Sequence, residues 1–213
     1  DQLITLNFVP ESEHQSQFFQ QEIETVIKQV LELRQHIRSI PIRDIRDVEY
    51  MDKLNQEAQK KIEIIQQLAD GIIGATLKWG NNSARFEAAI GAMANSLGQY
   101  LEDETKIDVS ILEEIKESLL FQSNNGTYRR KPFHWLLEYP EVFVSSTGFD
   151  AIIGNPPFLW GNRISTRFGD KYRDWLLDLH NDINGNADLC TRFLRRSHDL
   201  VGIGSLGLIT TNS

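Results

Sequence analysis

The sequence predicts an α/β chain. A mainly α-helical region with a long antiparallel helical hairpin precedes part of an open sheet. Three observations carry this. Apolar residues recur in heptad stripes on either side of Pro41. The pattern changes near residue 128, and the charge balance changes with it: residues 1–128 carry a net of −9 and residues 129–213 a net of +1, out of −8 for the chain. A short apolar run, Phe149–Gly154, then ends on Asn155-Pro156-Pro157-Phe158. That is where an open α/β sheet places its chemistry, just beyond a strand's carboxyl end.

Thr5–Val9 reads as a strand or extended entry closed by Pro10. Ser12 with Gln15 forms a capping box that opens a helix to about Ser39. Phe19, Ile23, Val26, Val30, Leu33 and Ile37 make its stripe, and Pro41 breaks it. A second helix is expected from about Arg43 to Ala69, with Met51, Ala58, Ile62, Ile65 and Ala69 as its seam. The pair makes the hairpin, read as a helical insertion packing on its own domain in preference to a spacer or clamp. Ala69–Leu77 reads as a further helix bent by its glycines. Ser83 caps a helix to about Tyr100, and Asp108 caps one to about Gln122. Ser123–Gly126 reads as a loop. The domain boundary falls at residue 128, dividing a helical region (1–128) from a catalytic part (129–213).

Beyond the boundary, Phe133–Phe143 is punctuated by aromatics and Pro140, which predicts irregular or extended chain. The strand at 149–154 follows. Asn162–Arg167 reads as a loop, Asp170–His180 and Ala187–Val201 as helices, and Leu206–Thr211 as a strand. Gly202-Ile203-Gly204-Ser205-Leu206-Gly207 matches a dinucleotide-loop pattern, but that pattern needs a strand before it and a helix after. Here the order is reversed, so the stretch is a helix-to-strand turn with Gly202 as the helix cap.

Composition narrows the function. With 40% hydrophobic and 24% charged residues the chain is globular. Its acidic first part is no bulk phosphate binder, whereas the near-neutral second part can approach a nucleic-acid backbone locally. Cys190 is the sole cysteine, so no internal disulfide forms; a buried structural thiol in a reducing, cytoplasmic setting is expected. No apolar run has the length of a membrane span, and the histidines make no metal-site spacing.

The residue types of the Asn155–Phe158 loop suit one task. An exocyclic aromatic amine is a poor nucleophile because its lone pair is delocalised into the ring. Two acceptors on its N–H bonds favour a more tetrahedral nitrogen. The Asn155 side-chain oxygen can be one, and the Pro156 carbonyl the other; Pro156 and Pro157 stiffen the backbone and bring no competing N–H. Phe158 can stack on the ring. The same residues also suit an ordinary turn.

Residues 133–158, "FHWLLEYPEVFVSSTGFDAIIGNPPF", together with "ADLCTRFLRRSHDLV" (187–201) and "GSLGLITTNS" (204–213), resemble the catalytic region of adenine-specific (N6) DNA methyltransferases of the large restriction-modification and phage-defence type. The resemblance implies a partial Rossmann-like methyltransferase sheet, and transfer from S-adenosylmethionine to a flipped adenine in double-stranded DNA. It implies Asn155, Pro156, Pro157 and Phe158 as the catalytic loop. Arg163 and Arg167 follow the loop closely enough to touch phosphates beside the flipped base; a solvated face balanced by Asp170 and Asp174 is the ordinary reading. Arg129-Arg130-Lys131 is a weaker candidate of that kind. Phe193 is read as a core aromatic in preference to a cofactor-pocket wall, Arg192, Arg195 and Arg196 as surface residues, and Asp150 as structural. His134 and Trp135 belong to the resemblance without a chemical role. The family's cofactor loop has no match, so no cofactor-binding residue is assigned. The chain is expected to be a piece of a parent polypeptide, inactive alone. A protein-glutamine or RNA-adenine methyltransferase, and a non-catalytic helical scaffold, are the alternatives.

Overall fold

The computed structural model describes residues 13–79, 82–102, 108–123, 126–144, 147–179 and 183–210. The expectations at Thr5–Val9, at Ser12 and at the side chains of Gln15 and Phe19 lie outside what is described. Helix α1 (Glu13–Ser39) ends two residues before Pro41, and α2 (Ile45–Trp79) follows. The helices pack along their stripes, with Ile27 and Val30 of α1 against Ala58, Ile62 and Ile65 of α2. The valine and isoleucine side chains each contribute about 1.5–3 kcal/mol when buried. The His36 ring meets the Tyr50 ring edge-on, and Lys61 Nζ donates to Gln29 Oε1.

Helix α2 corrects an expectation: the stretch from 69 to 77 is no separate, bent helix but the last turns of α2. Gly71 and Gly74 are buried there. A Cβ on Gly71 would lie 2.7 Å from Ile115 Cγ1 and Met93 Sδ, and one on Gly74 would collide with the Ser118 hydroxyl. The glycines admit the neighbouring helices α3 (Ser83–Glu102) and α4 (Val109–Ser118) at close range. The cap of α3 is Asn82, not Ser83: Asn82 Oδ1 accepts the Arg85 N–H at 3.1 Å. Asp108 caps α4 as expected, accepting the Ser110 N–H at 2.9 Å. Hydrogen bonds from Ser110 hold its carboxyl below the usual range.

Helix α4 stops at Ser118, short of Gln122, because the chain turns into an antiparallel pair. Strands β1 (Leu120–Ser123) and β2 (Gly126–Arg129) place Phe121 opposite Tyr128. The pair straddles residue 128. The expected irregular segment then folds as two short helices, α5 (Trp135–Glu138) and α6 (Pro140–Val144). The residue before a proline is disfavoured in the helical region. Tyr139 accordingly sits at φ −130°, ψ 59° and divides the two.

Strand β3 (Ala151–Gly154) is followed by α7 (Gly161–Phe168), α8 (Asp170–Leu179), α9 (Leu189–Leu200) and β4 (Ser205–Leu208). Helix α7 replaces the loop expected at 162–167. Ile164 and Phe168, four apart, turn inward onto a second apolar cluster with Leu159, Trp175, Leu176 and Leu189. Strands β3 and β4 pair in parallel, Ala151 opposite Ser205 and Gly154 opposite Leu208. The described chain is thus mostly helical, with two small two-stranded sheets. Among the described residues no helix is long and apolar enough to cross a membrane.

Candidate functional site

The Asn155–Phe158 loop leaves the carboxyl end of β3, where the Ile209 N–H donates to the Gly154 carbonyl at 3.0 Å. Asn155 and Pro157 are exposed and Pro156 is buried. Phe158 is 45% exposed. Leu159 turns into the Ile164–Leu176–Leu189 cluster. Its N–H donates to Asp188 Oδ1 at 3.3 Å, and its carbonyl accepts the Leu189 N–H at 2.9 Å. Trp160, 64% exposed, precedes α7. Gly161 is buried against the adjoining loop, where a Cβ would lie 2.5 Å from the Asn186 carbonyl carbon.

Arg163 and Arg167 are exposed and lie four residues apart, on one face of α7. They share the helix that the loop runs into. Of the other basic candidates, Arg129 and Lys131 are exposed and Arg130 is partly buried. Arg130 Nη2 donates to the Phe168 carbonyl at 2.7 Å, and its guanidinium lies over the Phe121 ring. Burial pulls its pKa down, opposed by Tyr172. Arg130 therefore joins β2 to the end of α7.

The surface and core expectations on α9 meet different outcomes. Arg192 is not a surface residue: it is 4% exposed, its Nη1 donates to the Leu176 carbonyl, and its Nε has no partner among the described residues. Burial, then Arg173, lowers its pKa. Phe193 is not a core aromatic, being 45% exposed. Arg192 and Leu189 of α9 meet Leu176 of α8. Arg195 is exposed beside Asp199, as expected, whereas Arg196 is partly buried. Cys190 is buried, and burial followed by the Asp188 charge pushes its thiol up, away from nucleophilic character.

His134 and Trp135 gain a physical role. His134 Nε2 lies 2.9 Å from Asp70 Oδ1 of α2, and Gln66 donates to Glu138 Oε1 at 2.8 Å. Arg34 donates to the Glu138 carbonyl and to Glu141 Oε2, and Arg38 to Glu141 Oε1. Trp135, Tyr139 and Phe143 each meet the Phe149 ring, two residues before β3. One face of this segment holds the long helices and the other holds the entry to β3. Asp150 is exposed, and its carbonyl accepts the Ser205 N–H at 2.9 Å. Gly202, at φ +49°, turns α9 toward β4, and a Cβ on Gly204 would collide with the Asp150 carbonyl. The glycine-rich stretch serves that close approach.

The family model of Eco57I restriction-modification methylases matches residues 16–213. The chain belongs to this family. No curated protein and no solved structure matches it. As a member of the Eco57I family it is a methyltransferase of the restriction-modification type. Among the described residues no group of three or more His, Cys, Asp or Glu side chains could hold a metal ion.

Proposed function

We propose that the protein serves in methyl transfer from S-adenosylmethionine to N6 of adenine in double-stranded DNA, with Asn155–Phe158 as the acceptor loop. One observation carries this: the loop stands just past the end of a parallel strand, with Asn155 and Phe158 exposed and Leu159 anchored in an apolar cluster. Asn155 Oδ1 and the Pro156 carbonyl accept from the two N6–H bonds. Phe158 stacks on the flipped base, replacing the neighbours it left in the duplex. Catalysis by these residues is orientation and acceptors aimed at developing positive charge on nitrogen. Arg163 and Arg167 contact phosphates beside the flipped base.

S-adenosylmethionine supplies a methyl group on a sulfonium. The described residues do not fit its adenosyl part. Their one glycine-rich stretch is a helix-to-strand turn closed against Asp150. We therefore place the donor's cradle elsewhere in the parent polypeptide.

In this reading β3 and β4 are neighbours in a Rossmann-like sheet. Parallel sheets are covered on both faces, and Ile153 is 88% exposed, which leaves a face of this pair for further elements. We read α1 and α2 as the antiparallel hairpin, a reading supported by the contacts of His36 with Tyr50 and of Gln29 with Lys61. Residues 1–128 act as the helical region and 129–213 as part of the catalytic domain.

The test is labelled transfer from S-adenosylmethionine to unmethylated DNA by the parent polypeptide, with the product digested to nucleosides. N6-methyladenine is expected. Label in RNA or protein acceptors but not in DNA moves the reading to another acceptor. No transfer to any of them leaves the helical scaffold.

A further inference from the structure

The acceptor loop contains two prolines and so has few N–H groups with which to hold its own shape. Its near end is fixed by β3, through the bond between Ile209 and Gly154. Along the described chain the next backbone hydrogen bonds come at Leu159, and both lead to the N-terminus of α9. Asp188 Oδ1 accepts from the Leu159 N–H at 3.3 Å and from the Cys190 N–H at 2.8 Å. The Leu189 N–H returns a bond to the Leu159 carbonyl at 2.9 Å.

An aspartate at a helix N-cap needs no explanation beyond the cap. The bond to Leu159 is different. It adds nothing to α9 and lies 29 residues away in sequence. One carboxylate oxygen thus serves both the helix end and the far end of the loop. The tight contact of Gly161 with Asn186 brings the same two segments together immediately downstream.

We propose that Asp188 is a positioning residue for methyl transfer: its carboxylate ties the Asn155–Phe158 loop to the N-terminus of α9 and so sets where the loop presents its acceptors. This rests on the reading of that loop as the acceptor site. Asp188 acts through the loop and does not touch the base.

The cap and the tie can be separated. Asp188→Ser keeps a side chain that caps helices well but is too short to reach Leu159. Asp188→Asn keeps both length and an acceptor oxygen. In the parent polypeptide, the Ser variant is expected to lose about 10- to 100-fold in kcat, the scale of a misplacement near 1 Å. Its KM for DNA stays within about twofold, as for an interaction lost only in the transition state. Amide exchange quickens at Leu159 and stays slow along α9, and the Asn variant recovers most of the rate. Wild-type kcat in the Ser variant, unchanged exchange at Leu159, or an Asn variant as impaired as the Ser variant each overturns the proposal. If the wild-type parent transfers no methyl group, the acceptor-loop reading fails by itself. Exchange at Leu159 in the Ser variant then decides whether the tie exists.

Discussion

Asn155 stands exposed at the end of β3, so its replacement tests chemistry with little cost to packing. Asn155→Ala in the parent polypeptide should lower kcat for N6-methyladenine formation by about 10²–10³-fold, the scale of losing one preorganised polar contact to developing charge. The thermal midpoint should stay within the small range of surface substitutions. A mutant that keeps its rate removes Asn155 from the acceptor role. At this scale the sequence was readable in placing Asn155-Pro156-Pro157-Phe158 just beyond a strand, and the loop does follow β3. It was unreadable where a common type does two things at once. Asp188 was read inside a helix from Ala187; it is instead the N-cap of α9, and its bond to Leu159 exists only because the fold returns α9 to the loop. Arg192 was taken for a surface residue because arginine is rarely buried without a partner, and here the Leu176 carbonyl satisfies only part of it.

Among elements, the long helices were legible because their stripes repeat over many turns, and the burial of Val30, Ala58, Ile62 and Ile65 follows those stripes. What failed was reading glycines and short segments. Gly71 and Gly74 were taken as points of bending, yet their role is clearance for Ile115, Met93 and Ser118. Gly74→Ala should therefore destabilise by about 1–3 kcal/mol through overpacking, despite alanine's better helix propensity. Denaturant melts check this, and a neutral or stabilising result would show that α4 shifts at no cost. The β1–β2 pair was missed because four-residue strands leave little periodicity to read, and α7 because a glycine and an asparagine open it. Helices α5 and α6 matter most, because they carry the bonds to α1 and α2. Exposed pairs such as Lys116–Glu113 contribute little. The Arg34–Glu141 pair is about 80% buried on both sides, so removing Arg34 leaves the Glu138 carbonyl without that donor and Glu141 with Arg38 alone. Arg34→Ala should cost about 1–3 kcal/mol. Arg34→Ala with Glu141→Ala should cost less than the two single changes added, and full additivity would remove this pair from the bonds that join the long helices to the segment before β3.

Taken whole, the chain sets an acidic helical part, net −9, beside a near-neutral part, net +1, joined through Arg34, Gln66 and Asp70. The acidic part repels a phosphate backbone, so DNA contact must be local. In the proposed reading that contact falls to Arg163 and Arg167, exposed and one turn apart on the helix that follows the loop. Each neutralised phosphate adds about 0.9 to the slope of log affinity against log salt. A parent polypeptide with both arginines changed to glutamine should then bind DNA more weakly, with that slope reduced by about 2. Contacts to phosphate carry no sequence information, so the loss should be equal for sites that are methylated and sites that are not. Fluorescence anisotropy over a salt series measures both quantities. An unchanged slope would return the two arginines to the solvated face that Asp170 and Asp174 balance. A loss confined to the methylated sequence would make them readers of bases, since a phosphate contact weakens every sequence alike.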